Sequence, residues 1–273
     1  VQKNSTTSVG AITMKVNNNG EAVNVTTGTQ IGTSKLYMGT FTAYGRVGSD
    51  GKLNITFNVP ASSNISWLSF KNVKYEAVSI TTLDESASNT ITAASNASVD
   101  LKRTIKASTW NTLALPFTLT NDQVVAAFGS DAQVAAYTET SADASNVTVN
   151  FNTTTNGITA NVPVLLKTST AGTTYSFDNV NIVAGDPIAA GSKVDFEGSY
   201  NANTAVAAGD YILSSNSLYK STGASSIDGF RGYLKFHASG AASINMIIDG
   251  ETTGITNVNA ANNTKEAVRY NLN

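Results

Sequence analysis

The chain has 273 residues, of which 13% are charged, with a formal net charge of −2, a single histidine and no cysteine. This excludes disulfides, zinc–thiolate centres and cysteine nucleophiles, and it offers no electrostatic footing for nucleic acid. No apolar run approaches the ~20 residues that cross a bilayer as a helix, so no membrane span is expected.

Charged residues are about half as frequent as in an average domain, and Asn, Ser and Thr together supply about a third of the chain. A neutral surface rich in hydroxyls and amides suits a secreted β-protein, or one that packs against copies of itself, so an extracellular or cell-surface location is expected. The length allows one large domain or two ordinary ones. The first residue is Val1, with no initiator Met and no signal peptide before it, which is expected of a processed product. Eight N-x-S/T sequons, at Asn4, Asn24, Asn54, Asn64, Asn96, Asn146, Asn152 and Asn262, are what such a composition yields by chance.

Alternation with period two dominates from the start. The runs Ala11–Val16, Ala22–Thr26, Leu36–Val47, Leu53–Val59 and Ile65–Ile80 read as strands. Asn19-Gly20 and Asp50-Gly51 lie between alternating runs and signal hairpins, since type I′ turns need positive φ at both central residues. Residues 81–97 loosen into Ser, Ala, Asn and Thr, which reads as a linker or an irregular edge segment. Strand patterns resume at Val99–Ala107 and recur through Leu113–Leu119, Val134–Thr138, Val147–Asn152, Gly157–Asn161, Val164–Thr168, Tyr175–Phe177, Lys193–Tyr200, Asp210–Ser214, Ser217–Lys220, Phe230–Phe236 and Ser243–Ile248. One segment departs from the period. Thr120 is an N-cap with Gln123 three residues on, Val124, Val125 and Phe128 form an apolar face, and Gly129 ends it, so a short capped helix is predicted there.

The expected fold is therefore all-β: two antiparallel β-sandwich units of jelly-roll or immunoglobulin-like type, with one short helix near 121–128. The units are expected at 1–80 and 98–273, with 81–97 between them. About five strands in the first unit is fewer than the ~7 of a typical sandwich. Either strands are missing because the chain was cut, or a neighbouring chain supplies one.

Several separated motifs occur in order: Trp110-Asn-Thr-Leu-Ala-Leu-Pro116 with Phe117, Ala208-Gly-Asp-Tyr-Ile-Leu213, Gly229-Phe-Arg-Gly-Tyr233, Ile248-Asp-Gly-Glu-Thr-Thr-Gly-Ile255 and Tyr270-Asn-Leu-Asn273. This series, over about 99–273, resembles a family of secreted, surface-associated β-modules from anaerobic Bacteroidetes-type bacteria, found near the C-termini of large exported proteins. The family often has Cys where this chain has Ala114, and its Tyr-Asn-Leu-Asn usually runs on into a sorting tail. The resemblance implies location and architecture, and it carries no agreed catalytic residues. The first unit, with Ile65-Ser-Trp-Leu-Ser-Phe-Lys-Asn-Val73, looks like the last part of a carbohydrate-binding jelly roll.

Candidate chemistry is sparse. A Ser-His-Asp triad would have to use His237, which sits at a strand end where a turn or surface role is favoured. Paired carboxylates serve glycoside hydrolysis without histidine, but Asp249-Gly250 reads as a turn and Asp84-Glu85 as solvated linker. No cofactor and no metal are expected, and the chain is not expected to be an enzyme. Sugar faces stack on flat rings, which makes Trp67, Tyr37, Tyr44 and Tyr75 the candidates for glycan stacking. A core position is favoured for Trp67, because both faces of its run are partly apolar, and likewise for Trp110. The strand-like termini give a second set of candidates: Ile12, Met14 and Val16 at one end, Val268, Tyr270 and Leu272 at the other. Either set could add a strand to a neighbouring subunit, or the termini could pair within a monomer. The leading expectation is a structural or adhesive surface protein, self-associating into an oligomer or filament by strand donation. The alternative is a glycan-binding module trimmed from a larger glycan-degrading protein.

Overall fold

A computed structural model describes residues 2–3, 12–17, 22–25, 29–30, 37–47, 50–61, 65–142, 146–237 and 243–252. The fold is mostly β and sandwich-like, with one helix among those residues. The chain divides into two compact units, Val1–Val78 and Ser79–Asn273.

The second unit is built on a six-stranded sheet in the order Asn111–Leu113, Val164–Lys167, Gln133–Ala142, Asn146–Thr154, Ser243–Ile248, Glu251–Thr252. One end of this sheet is buried on both faces. In Val164–Lys167, Val164 and Leu166 enter one core and Leu165 the other, while Val134 and Ala135 split in the same way. That is why Val164-Leu165-Leu166 reads as a continuous apolar run, whereas a half-exposed strand alternates. Asn146–Thr154 sits further along and does alternate, sending Val147, Val149 and Phe151 into one core only.

On one face lies a five-stranded sheet, Ile188–Ala189, Val194–Ser199, Arg231–Phe236, Tyr211–Ser214, Ser217–Lys220. Phe196, Leu234 and Leu218 from this sheet meet Phe151, Leu165 and Met246 from the other, with Phe151 and Phe196 edge-to-face at 5.2 Å. The opposite face carries a three-stranded sheet, Gly172–Ile182, Ala94–Ile105, Ile80–Asp84, together with the helix Asn121–Phe128. The helix forms as the sequence predicts. Thr120 accepts from the Gln123 backbone N–H, the Gln123 side chain accepts from the Thr120 N–H, and Gly129 ends the helix at φ 111°. Val124 and Phe128 are its buried residues, and the Phe128 ring lies 4.7 Å from that of Tyr175.

Two strand pairs run parallel, a departure from the antiparallel expectation. Asn146–Thr154 pairs in parallel with Ser243–Ile248, and Ile80–Asp84 with Ala94–Ile105. Segment 81–97 accordingly holds most of the edge strand Ile80–Asp84, a turn, and the first residues of Ala94–Ile105. Tight turns are made by residues that tolerate positive φ. Of eleven non-glycine residues there, seven are Asn, whose short polar side chain accepts the left-handed region. Asp249 (φ 53°) and Gly250 (φ 80°) form the two-residue turn of a hairpin in which Ile248 faces Glu251.

The first unit consists of small sheets. Gln2–Lys3 pairs with Ile65–Trp67, Thr29–Gln30 with Tyr37–Met38, and Thr13–Val16 lies between Val23–Asn24 and Ile55–Asn58. Asp50-Gly51 is a turn, with Gly51 at φ 73° and the Asp50 carboxylate accepting from the Lys52 N–H at 3.0 Å. Asn19-Gly20 lies outside the described residues. The predicted strands Leu36–Val47 and Ile65–Ile80 are longer than the observed ones. Among the described residues, Tyr37–Met38 and Ile65–Trp67 are the parts of these runs that pair within this unit, and Asn72, at φ 56°, interrupts the second run. Alternation specifies faces, but a strand also needs a partner for its backbone groups.

Candidate functional site

Among the described residues of the first unit, Ile12, Val16 and Val25 are the buried apolar side chains. Nine large apolar side chains of the same unit are exposed, including Met38, Val47, Ile55 and Val59. The densest stretch is 70–78, where Phe70 is 53% exposed, Val73 71%, Tyr75 77% and Val78 50%. Residues 68–79 form no strand, and Lys71, Lys74 and Glu76 lie exposed between the apolar groups. Phe70 stacks on Phe57 of strand Ile55–Asn58, with ring centroids 4.2 Å apart. Single exposed apolar residues are ordinary, and it is large contiguous apolar patches that mark interaction surfaces.

The stacking candidates fall on this unit in different ways. Tyr75 is exposed, Tyr44 is half-buried, and Tyr37 and Trp67 lie in strands where their side chains are outside the described set. Among the strand-donation candidates, Ile12 and Val16 are buried and Met14 is half-buried. Thr13–Val16 is already the centre of a three-stranded sheet, paired on both sides by its own chain. Those residues are therefore occupied within the subunit. Val268, Tyr270 and Leu272 lie outside the described residues.

In the second unit, His237, Asp249, Asp84 and Glu85, singled out from sequence, each have hydrogen-bond partners. His237 Nε2 lies 2.7 Å from Asp195 Oδ2 and its Nδ1 lies 3.2 Å from the Ser192 carbonyl, so both ring nitrogens face acceptors. Burial alone would raise the Asp195 carboxyl, but hydrogen bonds from Gly191 N–H and His237 hold it below its ordinary value. The Asp249 carboxylate accepts from the Thr153 N–H and hydroxyl, which ties the hairpin turn to the strand Asn146–Thr154.

Asp84-Glu85 is not solvated linker. The backbone and side-chain hydrogen bonds from Ser86, with Lys102 beside it, lower the Asp84 carboxyl. Glu85, with a side chain 14% exposed, accepts from Arg231 Nη2 at 2.7 Å, Arg103 Nη1 at 3.3 Å, and Thr104 N–H and Oγ1 at 2.9 and 2.6 Å. Arg103 is 1% exposed and also donates to the carbonyls of Thr112, at 2.8 Å, and Thr104. Burial, followed by the charge of Arg231, pulls Arg103 down from 12.5 to about 9, with Glu85 opposing. This cluster joins all three layers, since Arg103 lies in the three-stranded sheet, Thr112 in the six-stranded one and Arg231 in the five-stranded one. Nothing in the local pattern around Glu85 signalled it, because its partners lie 18 and 146 residues away.

Trp110, expected in the core, is half-buried against the second core. Its backbone N–H donates to Asn216 Oδ1 at 2.8 Å, and Lys167 Nζ lies 5.7 Å from its ring. Two cavities of about 10 and 30 Å³ occur in this unit, the larger lined by Arg103, Trp110 and Arg231 among others. That is room for one or two waters. Among the described residues no group of three or more His, Asp or Glu is placed to hold a metal ion, and no helix is long and apolar enough to cross a membrane. Comparison of the chain with protein-family models, with curated proteins and with solved structures finds no match.

Proposed function

We propose that this is a non-enzymatic surface protein with a structural or adhesive role outside the cell, and that it works by associating with copies of itself through the first unit. The observation that carries the reading is the imbalance there between few buried and many exposed apolar side chains. Phe70, Val73, Tyr75 and Val78 are half to three-quarters exposed. Burying a whole side chain of this size gives ~1.5–3 kcal/mol, so covering these four gives about 5 kcal/mol. An added strand would also satisfy backbone groups along 68–79. The alternating run Val268, Tyr270, Leu272 is the donor we favour, since Ile12, Met14 and Val16 are paired within the subunit.

Sedimentation velocity and negative-stain microscopy across a concentration series test this. Concentration-dependent oligomers or filaments are expected, lost in Val73→Asp/Tyr75→Asp and in a chain lacking 267–273. A wild-type chain that stays monomeric throughout refutes self-association. The exposed ring of Tyr75 favours a second reading, glycan binding. In that case a monomer would bind soluble glycans in a screen, and Tyr75→Ala would abolish the binding.

A further inference from the structure

The two units carry opposite charge. Val1–Val78 holds seven Lys/Arg and three Asp/Glu, a net of +4, while Ser79–Asn273 holds ten and sixteen, a net of −6. The near-neutral chain is thus a basic unit followed by an acidic one. Two of the seven first-unit cations, Lys71 and Lys74, lie within the exposed apolar stretch on either side of Val73, with one carboxylate, Glu76, beside them, so the stretch is net positive. In the second unit much of the positive charge is already matched internally: Lys102 with Asp84, Arg103 and Arg231 with Glu85, and Lys235 with Glu197. Carboxylates remain in excess, and Asp122 and Asp186 are among the exposed ones.

Taking self-association as given, we infer that the first-unit face of one copy docks on the acidic second unit of another, so that copies join head to tail. Two first units meeting face to face would bring like charges together, which costs affinity and slows encounter. Joining opposite units brings unlike charges together and leaves one face of each kind free at the two ends. A heterologous contact of that kind makes rings if its rotation closes and open filaments if it does not.

The test uses the full chain. Sedimentation velocity from about 20 mM to about 500 mM salt should show assembly weakening steeply as charges are screened. Lys71→Glu/Lys74→Glu should weaken assembly at least tenfold at low salt while melting at the wild-type temperature, since both side chains are exposed. That variant keeps an intact second unit, so a small amount added to wild type should cap one end and shorten the assemblies. Assembly that is indifferent to salt, with a variant that neither weakens nor caps, overturns the head-to-tail contact but leaves self-association standing. A wild type that is monomeric at every concentration and salt overturns both. A compaction independent of concentration, with no growth in mass, also overturns both, because it means the units close on each other within one chain.

Discussion

Glu85→Ala separates a buried structural carboxylate from an exposed one. The carboxylate takes four hydrogen bonds, two from cations, and one of those cations, Arg103, is 1% exposed. Truncation removes the carboxylate that Arg103 and Arg231 share and leaves the two like charges facing each other, with Asp228 3.8 Å from Arg231 Nη2. Removing one partner of a buried pair costs about 3–5 kcal/mol, whereas a change at a solvated linker residue stays within about 0.5 kcal/mol. Urea unfolding followed by Trp110 fluorescence in a Trp67→Phe background reports the second unit alone. With a slope of about 2–3 kcal/mol/M, the midpoint should fall by about 1–2 M. Replacing Glu85, Arg103 and Arg231 together by Met should recover most of the loss, because it removes the buried charges as well as their pairing. A midpoint shift below about 0.3 M for Glu85→Ala would refute the account of this cluster.

Three further measurements bear on the fold. Thr120→Ala removes one arm of the capping box and should cost about 1 kcal/mol in the same assay, with Thr120→Ser restoring most of it. Gly157→Ala should cost more than about 3 kcal/mol or prevent folding, since Gly157 has φ 79° and a Cβ there would lie 2.0 Å from the Leu119 carbonyl oxygen. Acid should act in opposite directions through two carboxylates. Asp84 is held below its ordinary value, so its contribution is present above the unfolded pKa of about 3.9 and is lost as pH falls through the folded value. Asp84→Asn should therefore lower stability at pH 7 and flatten the acid limb below about pH 4. Asp210 is raised by burial, so its folded form binds the proton more tightly and its contribution declines as pH rises. Asp210→Asn keeps an acceptor for the Phe236 N–H and should be neutral or stabilising at pH 7. Identical pH profiles for wild type and both variants would contradict these assignments.

Features written in neighbouring residues were legible from sequence. The capped helix follows from Thr120, Gln123 and Gly129, and the Asp249-Gly250 turn from a dipeptide that accepts positive φ on both sides. The central strands showed as Val-Leu-Leu at 164–166, although the period alone did not reveal that both faces are buried. What was hidden depends on partners far along the chain. Glu85 looks like any linker carboxylate until Arg231 is brought beside it. The parallel pairing of residues 146–151 with 243–248 has no local signature. In the first unit the difficulty was different. The alternation of 65–80 is as clear as in any strand of the second unit, but alternation records only which side chains share a face. Whether a backbone partner exists is decided by the neighbour, and for 68–79 no strand partner is found among the described residues of the unit.

The strand Ser243–Ile248 contributes Ile244, Met246 and Ile248 to the second core and covers the edge of Asn146–Thr154, nearly a hundred residues earlier. Chains emerge from a ribosome or a secretion channel N-terminus first, so this edge waits for most of the second unit to appear before it can be closed. Until then Val147, Val149 and Phe151 sit on a strand paired with Gln133–Ala142 on one side and open on the other, and an open edge is prone to pair with the wrong neighbour. Contacts this distant also slow folding, since the loop between them must close before they return any free energy. A chain with this topology is therefore expected to gain from anything that keeps its open edge covered until the last strand is in place.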